Sequence, residues 1–168
     1  MLKTTPISKE FALDYLNDGW FVMPIQKESK EPLFKFAPRG FYSASNNPAE
    51  VMGWFNECPE MNLGIACEKS GLIVLDFDYR NMTRDSWELG KELSCIETMQ
   101  VETGDGIHLY FTTSVLSGVK GKLDAGIDIK YKGYVVTAPS LHPNGKRYEA
   151  NRLKPVALPE KIKKWVSR

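Results

Sequence analysis

The sequence predicts an α+β fold, a single domain over residues 1–168 with a mixed or antiparallel sheet flanked by helices. Three observations carry this. Capped helical stripes of apolar residues stand near both ends of the chain. Between them lie short β-branched runs separated by Gly, Pro and Asn turns, the pattern of hairpins. The 168 residues, 42% hydrophobic and 26% charged, suffice for one core, and no repeat or linker divides them.

Thr5-Pro6-Ile7-Ser8 starts a helix, with Thr5 as cap and Pro6 at the first helical position. Ile7, Phe11, Ala12 or Leu13, Tyr15 and Leu16 form its stripe, and Gly19 ends it. Trp20–Pro24 reads as a strand closed by its proline, and a loop rich in Lys, Pro and Gly follows to Tyr42. Asn47-Pro48-Ala49-Glu50 opens a helix as a capping box. Its inner face is Val51, Trp54 and Phe55, and it stops before Pro59. Asn62–Ala66 is a short strand, and Lys69-Ser70-Gly71 a tight turn.

Leu72–Asp78 is the most apolar strand of the chain, ending Leu75-Asp76-Phe77-Asp78. Tyr79-Arg80-Asn81 turns the chain, and Thr83 caps a helix running to Leu93, with Trp87 and Leu93 inward. Met99–Glu102 and Ile107–Thr112 flank the Thr103–Gly106 turn as a hairpin. Ser114–Asp124 is a polar loop. Ile127–Lys130 and Tyr134–Ala138 are strands around a turn at Lys132-Gly133, and Pro143–Lys146 is a further turn. Pro159–Val166 is a last, basic helix.

Composition narrows the function classes. No stretch is apolar and long enough to span a membrane, and MLKTTPISKE lacks the apolar core of a signal peptide, which predicts a cytoplasmic protein. Three scattered cysteines without a C-x-x-C argue against a disulfide framework or a zinc knuckle. The net charge of +1 hides an asymmetry. Residues 1–114 carry 10 Lys and Arg against 17 Asp and Glu, whereas residues 115–168 carry 12 against 4. A basic C-terminal third suits a polyanionic partner, or is simply a solvated basic face.

The candidate chemistry centres on Asp76 and Asp78. Strand alternation puts both carboxylates on one face, roughly 6–7 Å apart. Either the strand is ending in solvent, or the pair holds a cation, for which hard oxygen donors favour Mg²⁺ or Mn²⁺. His108 follows the Gly104-Asp105-Gly106 turn. It is either a satisfied half-buried ring or, with the turn's N–H groups, part of a phosphate site. Asp128 lies between Ile127 and Ile129, with Lys130 on its own face. It becomes a third metal ligand if its strand neighbours that of Asp76, and is otherwise an edge acid paired with Lys130. His142, in His-Pro-Asn-Gly, reads as a turn residue. Phe41 and Tyr42 are either loop packing or a surface for stacking on bases.

Taken in order, these residues resemble the N-terminal domain of bifunctional DNA primase–polymerases, the PrimPol-type branch of the archaeo-eukaryotic primase superfamily found in plasmids, phages and mobile elements. The motifs are Gly19-Trp20 to Pro24, Lys30-Glu31-Pro32, Asn62-Leu63-Gly64, Asp76-Phe77-Asp78, Thr103 to His108, Gly126-Ile127-Asp128 and Pro139 to Glu149. They cover nearly the whole chain. Asp105 departs from the pattern, standing where many members have Gly; Ser114–Asp124 matches no motif; and the Cys/His cluster of some primases is missing.

The resemblance implies an RRM-like catalytic sheet and a template-dependent nucleotidyltransferase that extends, and in some members initiates, strands from dNTPs or NTPs. Asp76, Asp78 and Asp128 would hold two Mg²⁺ or Mn²⁺ ions. His108, Thr103, Gly104 and Gly106 would grip the triphosphate, with Lys130 as a further phosphate contact. The implied partners are a DNA template and primer and a replicative helicase, fused or in trans, the chain being either a stand-alone enzyme or an excised domain. A non-catalytic nucleic-acid-binding or helicase-loading module and a metal-dependent nuclease are the alternatives; the glycine turn with His108 speaks for triphosphate binding over the nuclease.

Overall fold

A computed structural model describes residues 7–168; the proposed cap at Thr5 and Pro6 lies outside them. The chain runs α1 (Ile7–Asn17), β1 (Val22–Ile25), α2 (Pro48–Glu57), β2 (Asn62–Ala66), β3 (Leu72–Asp78), α3 (Arg84–Ser94), β4 (Gln100–Glu102) and β5 (Gly106–Thr112). It continues with β6 (Lys122–Asp124), β7 (Ile127–Lys130), β8 (Tyr134–Val136), β9 (Glu149–Ala150), β10 (Val156–Ala157) and α4 (Glu160–Val166). Two sheets form. The smaller has the order β1-β2-β8, and the larger β6-β7-β3-β5-β4-β9, with β10 joining β5 in parallel and every other pair antiparallel. The expected α+β architecture with a mixed sheet is thus observed.

β3 organises both cores because its two faces bury different partners. Ile73, Leu75 and Phe77 pack with Leu109, Phe111, Ile127 and Ile129 under α3 and α4, through Leu93, Ile162 and Val166. Leu72 and Val74 face the other way and join Val101 and Tyr110 against the smaller sheet, α1 and α2. The result is helices, large sheet, small sheet, helices. Asp76 and Asp78 continue the Leu72–Val74 face, so they emerge where the apolar packing between the two sheets ends.

Several details differ from the sequence expectation. Ile7 is exposed, and Ala12 rather than Leu13 is the buried member of the α1 stripe. Pro24 lies inside β1 instead of closing it. Ala66 N donates to Phe21 O, a register that turns the Pro24 nitrogen away from β2, and an edge strand tolerates this. Asn47 caps α2 by accepting from Ala49 N and Glu50 N, but Glu50 accepts from Ser45 Oγ at 2.6 Å rather than completing the box. Trp87 faces out, stacked on Tyr79 with ring centroids 5.0 Å apart, because its turn of α3 lies beyond the edge of the Phe77–Leu93 core. The Ser114–Asp124 loop contains β6, and β9 and β10, two residues each, are too short to leave a sequence pattern.

Candidate functional site

β3 lies between β5 and β7, and its register places Asp76 directly opposite His108 on one side and Asp128 on the other. Three polar side chains from three strands therefore form one row across one face of the large sheet. His108 Nε2 lies 3.3 Å from Asp76 Oδ1. Lys130 Nζ stands between the carboxylates, 4.0 Å from Asp76 Oδ2 and 3.7 Å from Asp128 Oδ2. Lys122 approaches Asp128 from β6, at 3.8 Å. The condition attached to Asp128 is met: its strand neighbours that of Asp76.

Electrostatics follow from this geometry. Burial acts to raise the pKa of Asp76, but the His108 hydrogen bond and charge, with Lys130 and Lys30, outweigh it and hold the carboxyl below its usual range. Asp76 is therefore an anion in a largely buried place, kept so by three cationic or protonatable neighbours. His108 is itself buried, and its Nδ1 has no hydrogen-bond partner among the described residues. As placed, the ring acts on Asp76 through Nε2.

Asp78 shares the face but is engaged elsewhere. Its carboxylate accepts from Arg80 N and Nε at 3.2 and 3.1 Å, Arg80 Nη2 at 3.3 Å and Asn81 Nδ2 at 2.7 Å. The Arg80 bonds, ahead of opposing burial and the Asn81 bond, lower its pKa. Arg80 also reaches Asp105 Oδ2 at 3.5 Å, and His142 Nε2 lies 3.8 Å from the same oxygen. Asp105 therefore shares the Arg80 cation with Asp78. His142 keeps its turn role, with Nδ1 accepting from Asn144 N at 3.1 Å.

Asp76, His108, Lys130 and the Thr103–Gly106 turn divide between two cavities, while Asp78 and Asp128 line neither. One, of about 330 Å³, is lined by Lys30, Asp76, His108, Lys130, Tyr134–Val136 and Tyr148. The other, of about 620 Å³, takes in Thr103–Gly106, Tyr79, Arg80, Glu102, Lys146, Arg147 and Glu149. The two turn glycines are explained by close approach. A Cβ on Gly106 would lie 1.6 Å from Phe77 O, and one on Gly104 2.3 Å from the His142 ring. Neither has a positive φ, so the αR–αL form of an anion nest is not built at them. Sequence reasoning gave no role to Lys30, Lys122, Arg80 or Tyr148. Lys30 is held at the cavity by Tyr134, whose Oη donates to Lys30 O at 2.8 Å, a contact 104 residues apart that no local pattern announces.

The donor set suits a hard divalent cation in chemistry. Asp76 and Asp128 are opposed carboxylates on adjacent strands, with Asp78 on the same face, and Asp76 and Asp78 are held ionised, as ligation requires. As the side chains stand, the described residues contain no group of three or more His, Cys, Asp or Glu disposed to hold a metal. Lys130 and Arg80 occupy the carboxylates instead. Ligation therefore requires Asp78 to exchange Arg80 and Asn81 for the ion, and Lys130 to withdraw.

Tyr42 is exposed and Phe41 half-buried, their ring centroids 4.3 Å apart. The cysteines are free. Among the described residues, no helix is long and apolar enough to cross a membrane.

No curated protein matches the chain. A family model does, the one described as bifunctional DNA primase/polymerase, N-terminal, over residues 12–161. The match runs from the middle of α1 into α4, through every strand of both sheets. The chain therefore belongs to the bifunctional DNA primase/polymerase N-terminal family.

Proposed function

We propose that this domain is a template-dependent nucleotidyltransferase, extending a DNA primer from dNTPs or NTPs at the Asp76–Asp128 row, in replication of a plasmid, phage or other mobile element. The observation that supports it most is the register of β5, β3 and β7, which lines up His108, Asp76 and Asp128 in a chain of this family. Asp76, Asp128 and, after exchange of its partners, Asp78 would hold two Mg²⁺ or Mn²⁺ ions. Bound there, the metal supplies the positive charge that in-line phosphoryl transfer needs on the triphosphate and the primer 3′-oxygen.

The chain's own groups do the rest. His108 fixes the orientation of Asp76 and keeps it ionised. Lys30 and Lys130 bring positive charge to the same cavity and contact the phosphates. Thr103, Gly104 and Gly106 border the second cavity with Arg80, where the distal phosphates or the primer backbone would lie. No side chain is required as nucleophile, since the attacking hydroxyl belongs to the primer. The partners are DNA template, primer and nucleotide, and a replicative helicase in the same polypeptide or in trans.

The non-catalytic binding module is favoured by one observation, the engagement of Asp78 by Arg80 and Asn81. Primer extension separates the two. On a primed DNA template with labelled dNTPs and Mg²⁺ or Mn²⁺, the wild type is expected to extend the primer, and Asp76→Ala to lose at least about 100-fold in rate, the scale of losing a principal electrostatic stabiliser. Synthesis that survives Asp76→Ala would sink the catalytic reading. Products on an unprimed template would add priming.

A further inference from the structure

β8 ends the smaller sheet on the side of the cleft, and among the described residues no strand pairs with its outer edge. Its register with β2 decides which backbone groups point outward. Thr137 N donates to Leu63 O and Cys67 N to Gly133 O. Gly64–Val136 and Ala66–Tyr134 are therefore the non-hydrogen-bonded pairs of the ladder. Tyr134 and Val136 aim their N–H and C=O groups away from β2, and no hydrogen bond within the described residues satisfies these four groups. This edge carries no proline and no charged side chain, the usual devices for protecting an open strand. It lines the 330 Å³ cavity beside Asp76, Lys30 and Lys130.

A second observation converges on the same wall. Tyr148 is 2% exposed, yet its hydroxyl makes no hydrogen bond to any described residue. The hydroxyl is not among the sealed polar atoms that lack partners, so it keeps access to the cavity its residue lines. The open edge and the hydroxyl that no protein group satisfies thus leave hydrogen-bonding capacity for whatever enters one cavity, which marks a ligand surface.

We propose that the outer edge of β8 and the Tyr148 hydroxyl form a sugar site, which holds the hydroxyls of the incoming nucleotide and sets the preference between ribose and deoxyribose. This deepens the nucleotidyltransferase reading and rests on it. The phosphates are drawn to Lys30, Lys130 and the carboxylate row. The hydrogen-bonding edge of the base is engaged by the template. What is left is the sugar, adjacent to the first phosphate, and its hydroxyls both donate and accept, matching the alternating N–H and C=O groups of the edge. An extended peptide is a poor fit, since the edge is three residues long and the cavity it lines holds only about 330 Å³.

The test uses dATP, ATP and 2′,3′-dideoxy-ATP, which differ only in the sugar, titrated calorimetrically with Mn²⁺ into wild type, Val136→Pro and Tyr148→Phe. Val136→Pro deletes an outward N–H without breaking a β2–β8 ladder bond. Tyr148→Phe removes only the hydroxyl and carries the test alone if the proline variant does not fold. The wild type is expected to distinguish the three sugars. Each folded variant is expected to lose about 5–10-fold in affinity for at least one of them, the worth of a hydrogen bond, and so to change the ratios. Unchanged affinities, an equal loss for all three, or a wild type indifferent to the sugar would overturn the proposal while leaving the nucleotidyltransferase reading in place. A wild type that binds none of the three and extends no primer would overturn that reading itself.

Discussion

Gly106 fixes how closely β5 can approach the end of β3, and with it where the polar row begins. Any side chain there collides with the Phe77 carbonyl, a backbone atom that cannot give way without parting the two strands. Gly106→Ala is expected to destabilise the fold by about 3 kcal/mol, the upper end for forced overpacking. Chemical denaturation would check it; a loss below about 1 kcal/mol would mean that the strand end shifts freely. The ionised state of Asp76 has a similarly local origin. Burial alone would favour its neutral form, and His108 and Lys130 reverse the outcome. Both residues were visible in the sequence as candidates, whereas the steric reason for the glycine was not, because Phe77 and Gly106 are 29 positions apart and meet only by strand pairing.

Among the elements, α3 shows how local chemistry sets a boundary. Thr83 accepts from Ser86 N at 3.3 Å while Ser86 Oγ accepts from Thr83 N at 2.8 Å, a reciprocal cap at the point where the chain leaves Asp78 and re-enters the sheet's covering layer. Thr83→Ala is expected to cost about 1 kcal/mol, read as a lowered denaturation midpoint at unchanged slope. No change would mean that α3 is held by Leu93 and Leu89 alone. The cap residue and helix length were legible in the sequence; the exposure of Trp87 was not. Helical periodicity gives a residue's angle around the axis, but how much of that angle is covered depends on where the sheet stops.

At the scale of the whole molecule, the two sheets are tied behind the cleft by a buried hydroxyl chain. Tyr15 Oη donates to Ala138 O at 2.7 Å and lies 3.4 Å from Thr137 Oγ1, which accepts from Tyr110 Oη at 3.2 Å. One hydroxyl thus links α1, the large sheet and the segment after β8. Thr137→Val keeps the volume but leaves the fully buried Tyr110 hydroxyl unpaired, at a cost of about 1–3 kcal/mol. Thermal denaturation is the check, with Tyr110→Phe/Thr137→Val expected to recover part of the loss; a double variant no better than Thr137→Val would show that the hydroxyl pair is not the cause. The same packing makes the cleft. Where Leu72, Val74 and Tyr110 fill the space between the sheets there is core, and where the β3 face changes to Asp76 the sheets leave a cavity.

The sequence by itself determined the helices and the longer strands, the fold class and the polar candidates, because caps, turns and alternation act over a few residues and write themselves into adjacent positions. It placed Asp76 and Asp78 on one face of their strand and Asp128 and Lys130 together on one face of theirs, and the ordered motifs pointed to the family. Tertiary structure decided which faces meet. Strand order put β7 beside β3 and sent β8, only four residues further on, to the other sheet. It brought Lys30 and Tyr148 to Asp76, gave Asp78 to Arg80, and left one edge of β8 open to the cavity. Apart from the Asp78–Arg80 pair, which is two positions apart, those outcomes depend on contacts between residues tens of positions apart, whose energies are set by register and packing and leave no trace in any local run of the chain.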